Sequence, residues 1–505
     1  MKTLFRFPHS AVFALPVSLW SAFARRICPA PAPRRRLRRL RPCLELLEDR
    51  TLLSAYVAAD VSSLIADINA ANKQGGASTI TLTTPTTSPY ILSAVNNATN
   101  GANGLPVIGG SKAVNLTIIG NADTIERSTA TGAPAFRLFD VAGGSSLTLE
   151  SVTLQNGVAR GAGAAADGGA IFNQGSVTLV GATLQDNAAV GSNGADGLVT
   201  QATRKTTQSS SLNGQAGGNA AGGGIWSSGS VTLEGGTILQ QNQALGGQGG
   251  VGGMAVNGST VVYAGNGGAG GGGLGGGLCE AGGSVNVTNA TLAGNTAAGG
   301  AGGHPYIGVA FSANAGVGGI GAGGGMYAAA GTLHVSSVIV QANQALGGTG
   351  GEWGLYGGGG GVAYGGGIDV AGGTATLAGS QLLSNQAVGG TGGFDAGYYG
   401  GNGGNAFGGG LYAGGGTLTL TNDTVTGNDA LGGSTGQTDN TDSVLESSLP
   451  NPGTGAGGGI EIASAATVSL DSFTVNDTTS NYGYVRFDWG YEVVTSNIDG
   501  KYILL

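Results

Sequence analysis

The sequence predicts an all-β fold, a right-handed parallel β-helix in which three sheets enclose one core. A unit of roughly twenty residues recurs along the chain, which is typical of a solenoid. Each unit holds short strands of alternating polarity that are too short to bury an apolar face alone. Glycine is in large excess, with 105 of 505 residues against an average of about 7%.

Composition excludes several other classes. Glycine does not fall at every third position and proline totals 13, so the chain is not collagen. Hydrophobic residues make up 40%, which argues against disorder. Residues 55–505 hold nine basic and 25 acidic residues, a net charge of −16. Nucleic acid and anionic membranes are therefore poor partners.

Residues 1–54 are predicted to be an export leader, disordered or cleaved. Lys2 and Arg6 precede the apolar stretch 11–23, and residues 22–24 read Ala-Phe-Ala, a small-x-small cleavage site. The arginines at 25–41 follow at once and oppose translocation, so a misassigned start codon is an alternative. After the leader, the sequence has no apolar run of ~20 residues, so we predict no membrane span in the mature chain.

The leader ends in a short motif. Residues 44–54 read LELLEDRTLLS and resemble the LE-x-LE-x-R-x-LLS leader of large, repeat-rich bacterial surface proteins. The resemblance implies export and a place outside the cell or on its surface. A short amphipathic helix without a special role is the alternative.

The β-helix is predicted over residues 55–480. Residues 61–72 read as an amphipathic capping helix, and Ile80-Thr81-Leu82 as a first strand. Nine coils then follow an in-out-in rule in their x-Leu-Thr-Leu strand. The inward residues should stack as Leu116, Leu147, Val177, Val231, Val285, Leu333, Ala375, Leu418 and Val468.

An asparagine ends most units. We predict that it closes the coil at a tight turn, because Asn tolerates the left-handed backbone region, and that stacked amides hydrogen-bond as a ladder. The predicted structural asparagines are Asn187, Asn242, Asn295, Asn343, Asn385, Asn428 and Asn476.

Glycine-rich inserts follow these turns, at 246–273, 299–325, 347–367 and 389–410. They should project from one corner of every coil. They are either flexible loops or segments packed through close backbone contact, which only Gly permits.

No cofactor is expected. Residues 389–395 read GGTGGFD, which leaves calcium as a weak alternative, since the aspartate is one place late for the nonapeptide repeat.

The GGAI openings and Asn-terminated coils resemble the repeats of polymorphic outer membrane proteins and of autotransporter-like β-helices, within the pectin-lyase-like fold. The resemblance covers roughly residues 56–478. It implies the fold but does not select a function, because this fold carries lyases, hydrolases, adhesins and stalks. Two features depart from the family. The Phe-x-x-Asn motif persists only near Phe473–Asn476, and residues 481–505 are a short cap or tail with no translocating barrel.

Catalysis is not expected. Polysaccharide lyases of this architecture use Arg or Lys, and no Lys or Arg lies between Lys205 and Arg486. The related hydrolases carry clustered Asp with Gly-His-Gly and Arg-Ile-Lys motifs, which this sequence lacks. His304 and His334 are predicted to be solvated. No catalytic or metal-binding residue is predicted.

One row of residues suggests binding instead. If the Ile and Leu of the Gly-Gly-x-Ile strands face inward, the next residues face outward. This outward column reads Phe172, Trp226, Cys279, Tyr327, Asp369, Tyr412 and Glu461. Its aromatic and carboxylate members could bind a glycan (Phe172, Trp226, Tyr327, Asp369, Tyr412 and Glu461). The alternative is that the inserts fold over these rings and bury them.

The sequence therefore predicts an extracellular or cell-surface β-helix with a structural or adhesive role and no enzymatic activity. The alternative is a polysaccharide-binding or polysaccharide-degrading protein. The expected partners are an extracellular polysaccharide or another surface protein. Self-association is a further option that the sequence leaves open, because an uncapped end of the stack offers free strand edges.

Overall fold

The computed structural model describes residues 54–505 except 84–88, 162–164, 203–209, 259, 307–312, 396–398, 438–449 and 488–489. In this part the chain forms the predicted parallel β-helix with a short N-terminal helix. The export signal and the LE motif up to residue 53 lie outside the described residues. The first strand begins at Ser54, the last residue assigned to the leader.

Three sheets enclose the main core, as predicted. Sheet I contains Phe139–Val141, Ile171–Asn173, Ile225–Ser227, Leu278–Glu280, Met326–Ala328, Ile368–Val370, Leu411–Ala413, Ile460–Ile462 and Ile498–Asp499. Sheet II contains Ser54–Ala58, Gly76–Leu82, Val114–Ile119, Ser146–Glu150, Ser176–Val180, Ser230–Glu234, Ser284–Thr288, Thr332–Ser336, Thr374–Ala378, Gly416–Thr421, Ala466–Leu470 and Ile503–Leu504. Sheet III contains Tyr90–Leu92, Thr124–Arg127, Thr153–Gln155, Thr183–Gln185, Ile238–Gln240, Thr291–Ala293, Ile339–Gln341, Gln381–Leu383, Thr424–Thr426 and Thr478–Thr479.

Two further, mostly parallel sheets lie beside the three that enclose the main core. Sheet IV contains Val158–Arg160, Ala188–Val190, Gln243–Leu245, Thr296–Ala298, Gln344–Leu346, Gln386–Val388, Asp429–Leu431, Tyr482–Phe487 and an antiparallel last strand, Gly490–Ser496. Sheet V contains Ala166–Asp167, Ala220–Ala221, Gly273–Leu274, Gly321–Ala322, Ala363–Tyr364, Ala406–Phe407 and Gly455–Ala456. Buried alanines of these two sheets form small clusters apart from the main core, for example Ala345, Ala363 and Ala387.

The predicted inward column of sheet II is confirmed. Its nine members pair in succession, coil to coil at the same position, from Leu116 to Val468. All nine are at most 1% exposed, so the column lines the main core on the side of sheet II. The outward neighbours include His334, which is exposed as predicted, and its Nδ1 lies 2.7 Å from the Thr376 hydroxyl.

The N-terminal helix, α1, spans Val61–Gln74. The Asp60 side chain accepts a hydrogen bond from the Ser63 amide and so caps the helix. Leu64, Ile68 and Ala71 are buried against the main core. The predicted first strand, 80–82, belongs to Gly76–Leu82, which is the second strand because Ser54–Ala58 precedes it.

Asparagines form a buried ladder at the corner between sheets III and IV. In each step the Oδ1 of one Asn accepts hydrogen bonds from both the backbone N and the Nδ2 of the Asn one coil earlier. Between Asn242 and Asn295 both distances are 3.0 Å. The second Nδ2 hydrogen is donated to a main-chain carbonyl, that of Leu184 for Asn242. The ladder runs through Asn187, Asn242, Asn295, Asn343, Asn385, Asn428 and Asn481.

Two details of the asparagine prediction are wrong. The positive φ angle belongs to the residue before the Asn, for example 54° at Asp186 and 54° at Gln241. Asn476 lies in a short helix, α2, Ser472–Asp477, and Asn481 takes its place in the ladder. The ladder Asn is thus selected by its amide, which satisfies buried backbone groups, and not by its own backbone conformation.

The inserts are packed through their backbones, the second of the two predicted alternatives. After sheet IV the chain runs outward, and it then returns to sheet V. The outgoing legs are 191–198, 246–253, 299–306, 347–353, 389–395 and 432–437, and the returning legs are 213–219, 265–272, 313–320, 357–362, 399–405 and 450–454. Stacked coil on coil, the legs form two layers, which we call the glycine lattice.

Hydrogen bonds in the lattice recur every third residue. The amides of Gly249 and Gly252 donate to the outgoing leg of the next coil, and that of Gly246 donates to Ala298, the residue just before this leg. The amides of Gly247 and Gly250 donate across to a returning leg, and that of Gly253 donates to Leu212, the residue just before that leg. A three-residue period without internal hydrogen bonds is the geometry of polyproline-II helices. Side chains at the third positions, such as Gln248 and Val251, are exposed.

Other described elements lie at the insert ends and in the tail. Three strands, Val199–Gln201, Met254–Asn257 and Thr260–Ala264, and a 3-10 turn, Ser210–Leu212, end the first two inserts. The tail strands extend sheets IV, I and II. In the part of the chain that the structure describes, no helix has the length and apolar character needed to cross a membrane.

Candidate functional site

The structure aligns the predicted outward column. Phe172 pairs with Trp226, and the register continues through Cys279, Tyr327, Asp369, Tyr412 and Glu461. It also adds Asp140 before Phe172 and Asp499 after Glu461, two members that the sequence reasoning missed. All the predicted glycan-binding residues therefore lie in one row along the solenoid axis.

Sheet V forms a second wall beside the column. The Gly residue between each pair of sheet V and sheet I strands has a positive φ, for example 66° at Gly168 and 65° at Gly408. This turn brings the second residue of each sheet V strand near the column. Tyr364 lies 4.8 Å from Tyr412 between ring centroids, and Phe407 lies 6.1 Å from Tyr412. The column thus lines a corner, not an open face.

The aromatic faces in this corner are largely occupied. The rings of Phe172 and Trp226 stack at 4.6 Å with an interplanar angle of 4°. The guanidinium of Arg137 lies 4.9 Å from the Phe172 centroid. Phe172 is 7% exposed, so a sugar ring cannot stack on it without displacing protein. Trp226, Tyr327 and Tyr412 are half-buried.

Asp369 is the most deeply buried carboxyl among the predicted members of the column, at 3% exposure. Its Oδ1 makes no hydrogen bond. Burial raises the pKa of Asp369 to about 8. Burial, and then the charge of Asp499, raises the pKa of Glu461 to about 7. Asp369 therefore holds a proton at neutral pH in a position that is almost closed to solvent.

The Asp369 proton predicts a pH-dependent stability. The raised pKa means that the folded chain holds a proton between about pH 4 and 8 that the unfolded chain has lost. The contribution of Asp369 to stability is therefore fully present below about pH 4 and is lost as the pH rises through this range. We expect the thermal midpoint of Asp369→Asn to fall less between pH 4 and 8 than that of the wild type. The dependence of the thermal midpoint on pH becomes smaller but does not disappear, because Glu461 still titrates.

Thermal melts at unit pH intervals test this prediction. Tyr327, Tyr364 and Tyr412 face Asp369 and stay unchanged in the variant. The matched control is Glu352→Gln, an exposed carboxyl outside the corner, which should keep the wild-type slope. Parallel curves for Asp369→Asn and the wild type would contradict the assignment of the proton.

Two open depressions lie elsewhere, on the outer face of the outgoing legs. The one of about 410 Å³ is lined by Glu352, Thr391, Phe394, Ser434, Thr435, Gln437, Arg486 and the backbone between them. The other, of about 290 Å³, is lined by residues that include Gln248, Val251, His304 and Thr349. His304 lies in an insert as predicted, and its Nδ1 accepts from the Glu352 amide at 3.1 Å. The composition of the inserts does not reveal this face, which forms only when their legs stack.

The calcium alternative centres on Asp395. Its side chain is buried and accepts a hydrogen bond from the Tyr399 amide. Among the described residues, no group of three or more His, Cys, Asp or Glu is placed to hold a metal ion. Asp395 thus orders the end of its insert through the backbone.

Comparison of the chain with protein-family models, with curated proteins and with solved structures finds no match.

Proposed function

We propose that the chain is a secreted or cell-surface β-helix protein with a structural and adhesive role, of the autotransporter-like type within the pectin-lyase-like fold, and that it is not an enzyme. The observation that supports this proposal is the glycine lattice. The inserts take up much of the chain and are built as ordered layers on one side of the solenoid. Such layers hold outward side chains at fixed positions, as an adhesive surface requires.

Order in the lattice extends to its outward amides. The amide of Gln248 donates to Asn193 Oδ1 at 3.1 Å, and that of Val251 donates to Asp196 Oδ1 at 2.8 Å. On the returning face, Asn266 accepts the Asn314 amide at 2.8 Å. A surface fixed in this way loses little conformational entropy when a partner binds. This property favours adhesion over a role as flexible spacer.

The alternative, binding or degradation of polysaccharide at the outward column, has weaker support. The stacked Phe172 and Trp226 rings and the buried Asp369 leave a substrate little access. We propose that the column stabilises the corner between sheets I and V. The net charge of residues 55–505, −16, supports an uncharged or basic partner.

Localisation and adhesion test the proposal together. In the native cell, fractionation and surface labelling should place the protein outside the cytoplasm. Beads coated with the purified protein should adhere to the producing cells or to their extracellular matrix, and beads coated with albumin should not. Cytoplasmic protein, or coated beads that adhere no more than albumin beads, would refute the surface role.

A further inference from the structure

Four aromatic side chains cluster at the outer end of two neighbouring inserts. Trp353 and Tyr356 belong to one insert, and Phe394 and Tyr399 belong to the next. The Trp353 and Phe394 rings meet edge to face, with centroids 5.0 Å apart. The Tyr356 and Tyr399 rings stack at 5.8 Å and 9°. We call these four residues the tip patch.

The tip patch is open to solvent, unlike the outward column. Trp353 is 45% exposed and Tyr356 is 47% exposed. A large aromatic ring usually stabilises a fold by burying its apolar surface. Here about half of that surface stays exposed, so about half of the stabilisation is lost. Packing alone therefore does not account for both residues.

The backbone of Trp353 is also unusual. Its φ angle is 66°, a value that is a genuine outlier for a bulky residue. Glycine adopts this conformation without strain and is the commonest residue of the insert. The Trp353 amide still donates to the Phe394 carbonyl at 3.0 Å, which keeps the legs in register. Trp353 therefore strains the backbone at a position where glycine would not, which indicates a role for the ring itself.

The 410 Å³ depression adjoins the patch, and Phe394 belongs to both. Its other lining side chains are three hydroxyls, one amide, one carboxylate and one guanidinium, from Thr391, Ser434, Thr435, Gln437, Glu352 and Arg486. Opposite charges of equal number favour an uncharged ligand. Exposed rings beside hydrogen-bonding groups suit a ligand with apolar faces and many hydroxyls.

We infer that the tip patch and the adjoining depression bind an uncharged polysaccharide. Sugar rings lie against Trp353 and Tyr356, and their hydroxyls bond to the polar groups of the depression. This inference rests on the proposed adhesive function and names its ligand class. It also moves the glycan site from the outward column to the inserts.

Affinity electrophoresis of the purified full chain tests the inference. The gels contain mannan, laminarin, hydroxyethylcellulose or the anionic polygalacturonate. We expect at least one of the three uncharged polysaccharides to retard the wild type and polygalacturonate not to. Trp353→Ala and Tyr356→Ala should each weaken the retardation about tenfold. Trp226→Ala, in the outward column, should retain it.

Circular dichroism and the thermal midpoint check that each variant is folded, and Trp353→Phe should recover most of the binding because it restores a ring. Wild-type retardation of folded Trp353→Ala, or no retardation by any uncharged polysaccharide, overturns the inference. The bead assay separates the two proposals. If beads adhere while no polysaccharide binds, the adhesive function stands and the ligand class is wrong. If polysaccharide binds while beads do not adhere, the tip site stands and the adhesive function fails.

Discussion

Asn295→Ala is expected to destabilise the β-helix by about 3–5 kcal/mol, because two or three buried polar groups lose their partners at roughly 1–3 kcal/mol each. Asn295 Oδ1 accepts from the Asn242 amide and from Asn242 Nδ2, both at 3.0 Å. Its own Nδ2 donates to the Leu239 carbonyl and to Asn343 Oδ1, both at 2.9 Å. Alanine supplies none of these bonds. Asn295 is 0% exposed, so solvent water does not reach the groups that would lose their partners.

Asn266→Ala is the matched control. Asn266 also satisfies a backbone amide of the next coil, that of Asn314 at 2.8 Å. It is half-buried at the outer face of the lattice, where water can take over the bond. We expect a cost below about 1 kcal/mol. Urea denaturation gives both values, and hydrogen exchange should show the loss of protection for Asn295→Ala centred on its own and neighbouring coils. Equal costs for the two variants would show that the ladder bonds add nothing beyond exposed ones.

The sequence predicts the core of this fold well and its asparagine ladder in part. Period-two alternation identifies the sheet II column because a one-residue slip would turn Val231 and Leu233 to solvent. Asn476 was misassigned because Val475-Asn476 imitates the end of a coil. In the structure Asp471 caps α2 by accepting the Thr474 amide at 2.8 Å, and this helix delays the turn to Asn481.

Sheets IV and V could not be predicted in the same way. Their strands are two or three residues long in most coils, and their buried residues are alanines within glycine-rich sequence. Such strands are defined by pairing between coils and not by a local pattern. The lattice had a visible signal, since residues 246–253 read GGQGGVGG, with glycine at two of every three positions. Composition alone does not reveal that period.

The candidate site shows a different limit. Sequence placed the outward column in register, but it could not place the second wall, because the position of Tyr364 beside Tyr412 depends on the sheet V strands. It likewise gave no reason to select Trp353, whose significance comes from its exposure and its φ angle. Both are properties of the folded chain.

The run of five glycines at 357–361 provides the sharpest test of the lattice. A Cβ added at Gly360 would lie 1.9 Å from the Gly390 carbonyl oxygen and 2.4 Å from its carbon. A Cβ at Gly359 would find only the Asn402 carbonyl oxygen, at 3.9 Å. Neither residue has a positive φ, so space and not backbone conformation separates them. The difference follows from the three-residue period, which turns Gly359 outward and Gly360 into the other layer.

Gly360→Ala should therefore destabilise the chain by about 3 kcal/mol or more, since the clashing atoms are backbone and cannot rotate away. Gly359→Ala should be neutral or stabilise it by about 0.4–1 kcal/mol, because alanine restricts the unfolded chain. The two variants have identical composition and differ by one position, so urea denaturation and limited proteolysis of the insert compare them directly. If the inserts were flexible loops, both variants would behave alike. A large cost confined to Gly360→Ala can arise only if the legs are packed backbone against backbone.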